Sequence, residues 1–163
     1  MNLIIRETSP ADWPEMAAIY KTGMETGLAT FAADVPAYAD WDASHLPVCR
    51  LTAVADGGIV GWAALSPVSE RPCYAGVAEV SLYIAPAFWR RGIGGALLQR
   101  LCKVSEKAGF WTLESLIMSD NAASLKLHEK CGFRLLGVGE KRGKDQSGRW
   151  RDVVFMERRN GIG

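Results

Sequence analysis

The chain has 163 residues, of which 48% are apolar and 23% charged, with six tryptophans. One core of that size is the usual unit, so a single domain over residues 1–163 is expected, and a disordered, collagenous or coiled-coil chain is excluded. Nineteen Lys and Arg against eighteen Asp and Glu leave a formal charge of +1, too balanced for the positive field that non-specific nucleic-acid binding needs, so no nucleic-acid partner is expected.

The longest apolar runs, Leu51–Ala55 and Ile59–Leu65, are strand-sized and fall short of the ~20 residues a bilayer span takes, so no membrane partner is expected. Met1-Asn-Leu-Ile-Ile-Arg-Glu lacks the basic and apolar regions of a secretory signal, which makes a cytoplasmic location the expectation. Cys49, Cys73, Cys102 and Cys131 form no CxxC, and the chain has two histidines. Neither a zinc site nor a disulfide framework is predicted, no metal is expected, and the thiols read as reduced.

In chain order, Leu3–Arg6 is predicted as a short edge strand. Ser9-Pro10-Ala11-Asp12 supplies an N-cap hydroxyl, a proline at the first helical position and an acid two residues later, so a helix starts there. Its buried stripe is Trp13, Met16, Ala17, Ile19 and Tyr20, and Gly23 is the expected terminator. Residues 25–34 read as irregular, and Pro36–Leu46 as a shorter helix closed by Pro47. Arg50–Ala55, a turn at Asp56-Gly57-Gly58 and Ile59–Leu65 spell an antiparallel hairpin.

Ser66–Gly76 reads as a loop leading into the strand Val77–Ile84. Ile93, Ala96, Leu97, Leu98, Leu101, Cys102 and Val104 then repeat at helical spacing up to Gly109. A strand at Thr112–Met118 follows, then a helix at Asn121–Cys131 with Ala122, Leu125 and Leu127 inward, and a strand at Phe133–Val138. A polar, basic loop, Glu140–Trp150, leads to a last strand at Asp152–Met156. This order predicts an α/β (mixed α+β) fold, a mixed, mostly antiparallel sheet with helices on both faces.

Chemistry concentrates in Glu79–Leu98. Gly92, Gly94 and Gly95 stand where a strand gives way to a helix, so free N–H groups and the positive end of the helix dipole would face one small volume suited to an anion. Arg90 and Arg91 beside it favour a pyrophosphate over a lone carboxylate. The plainer reading, that the glycines only permit a tight turn, stays open at this point. A dinucleotide fingerprint is weakened by Leu97 at its third glycine, and a P-loop is excluded because no Lys-Ser/Thr pair follows.

Trp89-Arg90-Arg91-Gly92-Ile93-Gly94 resembles the acyl-CoA loop [Q/R]xxGx[G/A] of the GNAT superfamily of N-acetyltransferases, with Trp89 where that family usually has Gln or Arg. Asn121-Ala-Ala-Ser-Leu-Lys-Leu-His-Glu-Lys-Cys-Gly-Phe133 resembles the family's later N-x-x-S…G-F landmark. Ile5-Arg6, Ala11-Asp12, Ile19-Tyr20, Ala29-Thr30-Phe31, Gly61-Trp62-Ala63, Glu79, Tyr83-Ile84 and Gly148–Asp152 are similar to its phosphinothricin and methionine sulfoximine acetyltransferase branch, over nearly the whole chain.

The resemblance implies an acetyl-CoA-dependent enzyme that acetylates the α-amino group of a small amino-acid-like compound by direct attack in a ternary complex, as a homodimer. Leu82, Tyr83 and Ile84 would hold the pantetheine through their backbone. Arg90, Arg91, Gly92, Ile93, Gly94 and Gly95 would take the pyrophosphate, Asn121 would bind the cofactor's amide region, and Ser124 is a further expected cofactor-binding residue.

Acetyl transfer to an amine needs a proton acceptor, an oxyanion donor and a proton for the departing thiolate. Glu79 matches the family's catalytic Glu and lies in an apolar stretch that should raise its pKa; the alternative is an outward-facing strand residue. His128 stands where the family often has an acidic Tyr, and its alternative is a surface histidine without a role. Phe31, Arg71 and Tyr74, with Glu79, Val80 and Ser81, are the expected substrate residues, Arg71 as a fork for a carboxylate. Lys141-Arg142-Gly143-Lys144 reads as a solvated loop face or a contact to cofactor phosphates. Other readings are a protein N-terminal or polyamine acetyltransferase and a non-catalytic CoA-binding module.

Overall fold

The structure, a computed structural model, describes residues 1–161. Strands β1 (Ile4–Glu7), β2 (Leu51–Ala55), β3 (Gly58–Pro67), β4 (Val77–Ile84), β5 (Thr112–Met118), β6 (Arg134–Lys144) and β7 (Trp150–Arg159) form one sheet in the order β1-β2-β3-β4-β5-β7-β6. The β4–β5 contact is parallel and the other pairings are antiparallel. The helices are α1 (Trp13–Glu25), α2 (Tyr38–Ser44), α3 (Ile93–Lys107) and α4 (Ala122–Lys130). None of them is long and apolar enough to cross a membrane.

Alternation along β3 builds both layers of the core. Trp62 and Ala64 pack with Met16 and Ile19 of α1 and Trp41 of α2 on one face. Ala63 and Leu65 pack with Ile93, Leu97, Leu98 and Leu101 of α3 on the other, where Leu125 and Leu127 of α4 join them. Each fully buried leucine of α3 contributes about 2 kcal/mol relative to an exposed one. This is the mixed sheet with helices on both faces that the sequence predicts.

The β2–β3 hairpin turns where expected, with Asp56 at φ 51° and Gly57 at φ 80° between the paired Ala55 and Gly58, the backbone of a two-residue type I′ turn. A 3₁₀ turn at Pro10–Asp12 leads into α1. There the Asp12 carboxylate, not the Ser9 hydroxyl, makes the cap: it accepts the Ser9 N–H at 2.8 Å and pairs bidentately with Arg6 at 2.8 and 2.9 Å.

Several boundaries differ from expectation. Gly23 lies inside α1, and its lack of a side chain serves packing: a Cβ there would stand 2.6 Å from Tyr83 Cδ1. The helix ends two residues later, before Gly27 at φ 69°. Helix α2 is shorter than Pro36–Leu46. On α4, Ala122 is exposed and His128 is the buried residue.

The predicted loop Glu140–Trp150 is largely strand, because β6 and β7 pair as far as Lys144–Trp150 across a bulge between Gly139 and Gly143. Its polar residues mislead because β6 is an edge strand, open to water along its length. On β7 the buried Arg151 keeps its charge satisfied, pairing with Asp120 at 2.7 Å and Asp145 at 3.3 Å and donating to the Gly27 carbonyl at 2.7 Å.

Candidate active site

Strands β4 and β5 pair at only three positions, Val77–Thr112, Ala78–Leu113 and Glu79–Glu114, and then run on to Ile84 and Met118 without pairing further. The gap between them is a cleft of about 540 Å³. On its other edge β4 stays paired with β3 as far as Ile84. Between Val80 and Ile84, β4 therefore offers unpaired peptide groups to the cleft, a template for an extended ligand with amides of its own.

Glu79 sits where the strands part. Burial, and secondarily the charge of Glu114, push its carboxyl above the ordinary carboxylate range. Ser66, its cross-strand partner on β3, lines the same wall together with Tyr20 and His45. Sequence reasoning missed all three. The hairpin register carried through Leu65 was the one signal for Ser66, whereas His45 arrives from α2 by tertiary packing, stacked 4.5 Å from Trp41. Burial raises the Tyr83 and Tyr20 phenols, so both are neutral hydroxyls at physiological pH.

Across the cleft His128 is 4% exposed. Its Nδ1 lies 2.7 Å from the Ser124 carbonyl oxygen, which can only accept, so Nδ1 carries the proton and Nε2 keeps a lone pair. Burial lowers the pKa and holds the ring neutral. In this form His128 is a proton acceptor, and it donates only after a proton has reached it. Nε2 and the Ser115 hydroxyl are buried without partners among the described residues, and both residues line the cleft. Ser115 follows Glu114 at the parting of the strands, a position only the observed β4–β5 register reveals.

The glycine turn abuts the far end of β4. Gly92 at φ 81° caps α3, a conformation that favours glycine, and the first amides of the helix have no intrahelical acceptor. A Cβ on Gly94 would stand 3.4 Å from Leu127 of α4 and 3.8 Å from Ile84, so α3, α4 and β4 converge on the turn. Trp89, the departure from the family pattern, donates its indole N–H to the Ile84 carbonyl at 2.8 Å and ties the turn to the strand. Ile93 buries its side chain in the core. Arg90 and Arg91 are exposed beside it, Arg91 lying 4.9 Å above the Phe88 ring.

Of the other predicted site residues, Phe31, Val80, Ser81, Leu82, Tyr83 and Ser124 line the cleft. Asn121 does not: it caps α4 by accepting the Ser124 N–H at 3.3 Å and donates to the Leu28 carbonyl at 3.3 Å. Arg71 and Tyr74 also lie off the lining, stacked on each other at 5.7 Å. The basic segment divides: Arg142 enters the cleft wall, and Lys144 lies 4.6 Å over Trp150. Among the described residues no group of three or more His, Cys, Asp or Glu is placed to hold a metal ion.

The profile of the acetyltransferase (GNAT) family matches residues 13–133, the stretch from α1 to the residue before β6, which contains Glu79, His128 and the glycine turn. The chain belongs to the GNAT family. This GNAT chain is 34% identical over 161 residues to phosphinothricin N-acetyltransferase of Alcaligenes faecalis, covering 94% of itself and 81% of that protein. It is 29% identical over 167 residues to L-methionine sulfoximine/L-methionine sulfone acetyltransferase of Pseudomonas aeruginosa, covering 96% and 94%. A GNAT superfamily phosphinothricin acetyltransferase from Sinorhizobium meliloti, solved with acetyl-CoA, superposes with a TM-score of 0.90 at 29% identity, covering 100% of this chain and 91% of that one. The protein is a GNAT N-acetyltransferase with acetyl-CoA as donor.

Proposed function

We propose that the enzyme acetylates the α-amino group of a small amino-acid-like compound of the phosphinothricin or methionine sulfoximine type, by direct attack in a ternary complex. The carrying observation is the position of Glu79, a half-buried carboxylate of raised pKa at the apex of a cleft whose far end meets a helix N-terminus. Substrates named for two relatives, phosphinothricin and methionine sulfoximine, support the acceptor class.

Acetyl-CoA fits the chain's own groups. Its diphosphate meets the amides from Gly92 to Gly95 with Arg90 and Arg91 alongside, and its pantetheine amides complete the unpaired edge of Leu82, Tyr83 and Ile84. Glu79 takes the proton of the incoming ammonium, because an amine attacks only when neutral, and a raised pKa brings the base closer to the amine it serves. His128, neutral at rest, accepts at Nε2 the second proton, shed by the attacking nitrogen once it has bonded to the acetyl carbon, and passes it to the departing thiolate. Asn121 acts on the cofactor side by holding Ser124 and the first turn of α4.

The reading includes one catalytic domain over the whole chain, in a cytoplasmic setting that fits four cysteines free of disulfides. It also includes a homodimer, supported by the exposed Leu116 of β5 and Leu135, Leu136 and Val138 of β6. Sedimentation tests the dimer. A screen of amino-acid analogues, amines and N-terminal peptides for release of free CoA tests the activity. Turnover confined to peptides or polyamines, or none with any acceptor, would overturn the reading.

A further inference from the structure

Among the described residues lining the cleft there is one acidic side chain, Glu79, and one from Lys or Arg, Arg142. They stand on the same face of the sheet. On β4, Tyr83 packs with α1 while Val80, Leu82 and Ile84 pack on the α3 side, so Glu79, two and four residues from Ser81 and Tyr83, faces the α1 side. On β7, Val154 and Met156 belong to the α3 side, which turns Phe155 to the α1 side, and the Arg142 guanidinium lies 5.3 Å over the Phe155 ring. Helix α3, which carries the glycine turn, packs against the opposite face. Arg142 thus belongs with the base and the acceptor, away from the diphosphate site.

The backbone aims it there. Residues 140–142 bulge out between the pairs Gly139–Val153 and Gly143–Arg151, opposite the single residue Asp152. Lys141 takes φ 46° and donates its N–H to Asp152 Oδ1 at 2.8 Å, which fixes the bulge. A Cβ on Gly139 would stand 3.4 Å from Arg142 Cδ, and one on Gly143 would stand 3.1 Å from the Phe31 ring. The two glycines let the arginine stem lie along the strand and let Phe31 close in beside it. Re-aiming a side chain next to an active site is a recurrent use of such bulges.

Arg142 makes no ion pair among the described residues. An unpaired guanidinium laid on an aromatic ring offers a planar fork that matches a carboxylate. An amino acid carries its amine and its carboxylate on one carbon, and the cleft offers one group for each. We propose that Arg142 binds the α-carboxylate of the acceptor and so sets the enzyme's preference for amino acids over simple amines. The inference rests on the amino-acid reading of the site and assigns the carboxylate contact to Arg142 in place of Arg71.

The test compares L-methionine sulfone with its carboxamide in a thiol-release assay. Wild type prefers the acid. Arg142→Gln raises KM for the acid roughly 10- to 100-fold, leaves the carboxamide within about twofold, and leaves KM for acetyl-CoA unmoved. Arg142→Lys restores part of the preference, because it returns the charge without the fork. The side chain is exposed and unpaired, so melting temperatures of both variants stay near wild type.

The inference is overturned if Arg142→Gln keeps the wild-type preference, if it raises KM for acetyl-CoA instead, or if Arg71→Gln abolishes the preference while Arg142→Gln does not. A wild-type enzyme that turns over both compounds equally, or that turns over neither of them nor any other amino acid of the analogue screen, overturns the amino-acid reading itself and this inference with it; that result is read without any variant.

Discussion

Glu79 of β4 and Glu114 of β5 stand side by side at the last paired position before the two strands separate. Parallel pairing puts both carboxylates on one face of the sheet, and the second charge adds to burial in holding the first above its ordinary range. Removing that charge makes Glu79 easier to ionise. Glu114→Gln is expected to move the acid limb of the kcat/KM profile to lower pH, with KM for acetyl-CoA unchanged. A limb that stays in place or moves up would remove Glu114 from the account.

Glu79→Gln removes the base and keeps the shape. Turnover is expected to fall roughly 10²- to 10⁴-fold, while acetyl-CoA binding, measured by calorimetry, stays as in wild type. Unchanged turnover would leave Glu79 as a strand residue without a catalytic role.

The same substitution should stabilise the fold, in a pH-dependent way. The folded pKa of Glu79 lies above its unfolded value, so between the two the native state holds a proton that the unfolded chain has released. Stability contributed by the protonated form is present below the unfolded pKa and lost as pH rises through the folded pKa. Glu79→Gln is therefore expected to melt above wild type at pH 8, with the gap closing near pH 4. Melting curves at the two pH values check this.

Gly23→Ala inverts the usual propensity rule. In an exposed helix interior alanine would gain about 1 kcal/mol, but here its Cβ meets the Tyr83 ring at 2.6 Å. The expected outcome is a loss of about 1–3 kcal/mol in denaturant unfolding, together with reduced turnover, since Tyr83 is part of the cleft wall.

Gly92→Ala separates conformational strain from crowding. Nothing lies within 4 Å of a Cβ there, but φ is 81°, so the substitution strains the turn by roughly 1–2 kcal/mol. KM for acetyl-CoA is expected to rise about 5- to 30-fold while KM for the acceptor holds, in line with a cost of that size. Equal loss for both substrates would point to general disorder of the fold.

Legibility in the sequence followed the range of the interactions involved. The Asp56-Gly57 turn, the full span of β4 and the start of α3 could be read because local chemistry decides them. Gly23 was misread because the reason for it, the Tyr83 ring, is 60 residues away. The Lys141–Lys144 segment read as a loop because charge is tolerated on an edge strand, and only pairing with β7 reveals the bulge that turns Arg142 inward. Glu79 and the glycine turn were visible through their motif. Ser66, Ser115 and His45 entered the site through register and packing, which leave no periodic trace.

Trp89, about half exposed and bonded to the end of β4, has Trp41 and Trp62 as fully sealed counterparts in the interior. An indole at the lip of the glycine turn is a fluorophore that the molecule already carries. Iodide reaches it and Trp150, which is 51% exposed, but is kept from Trp41 and Trp62, so in a Trp150→Phe background loading of the turn should register as protection of the quenchable emission, with no label attached.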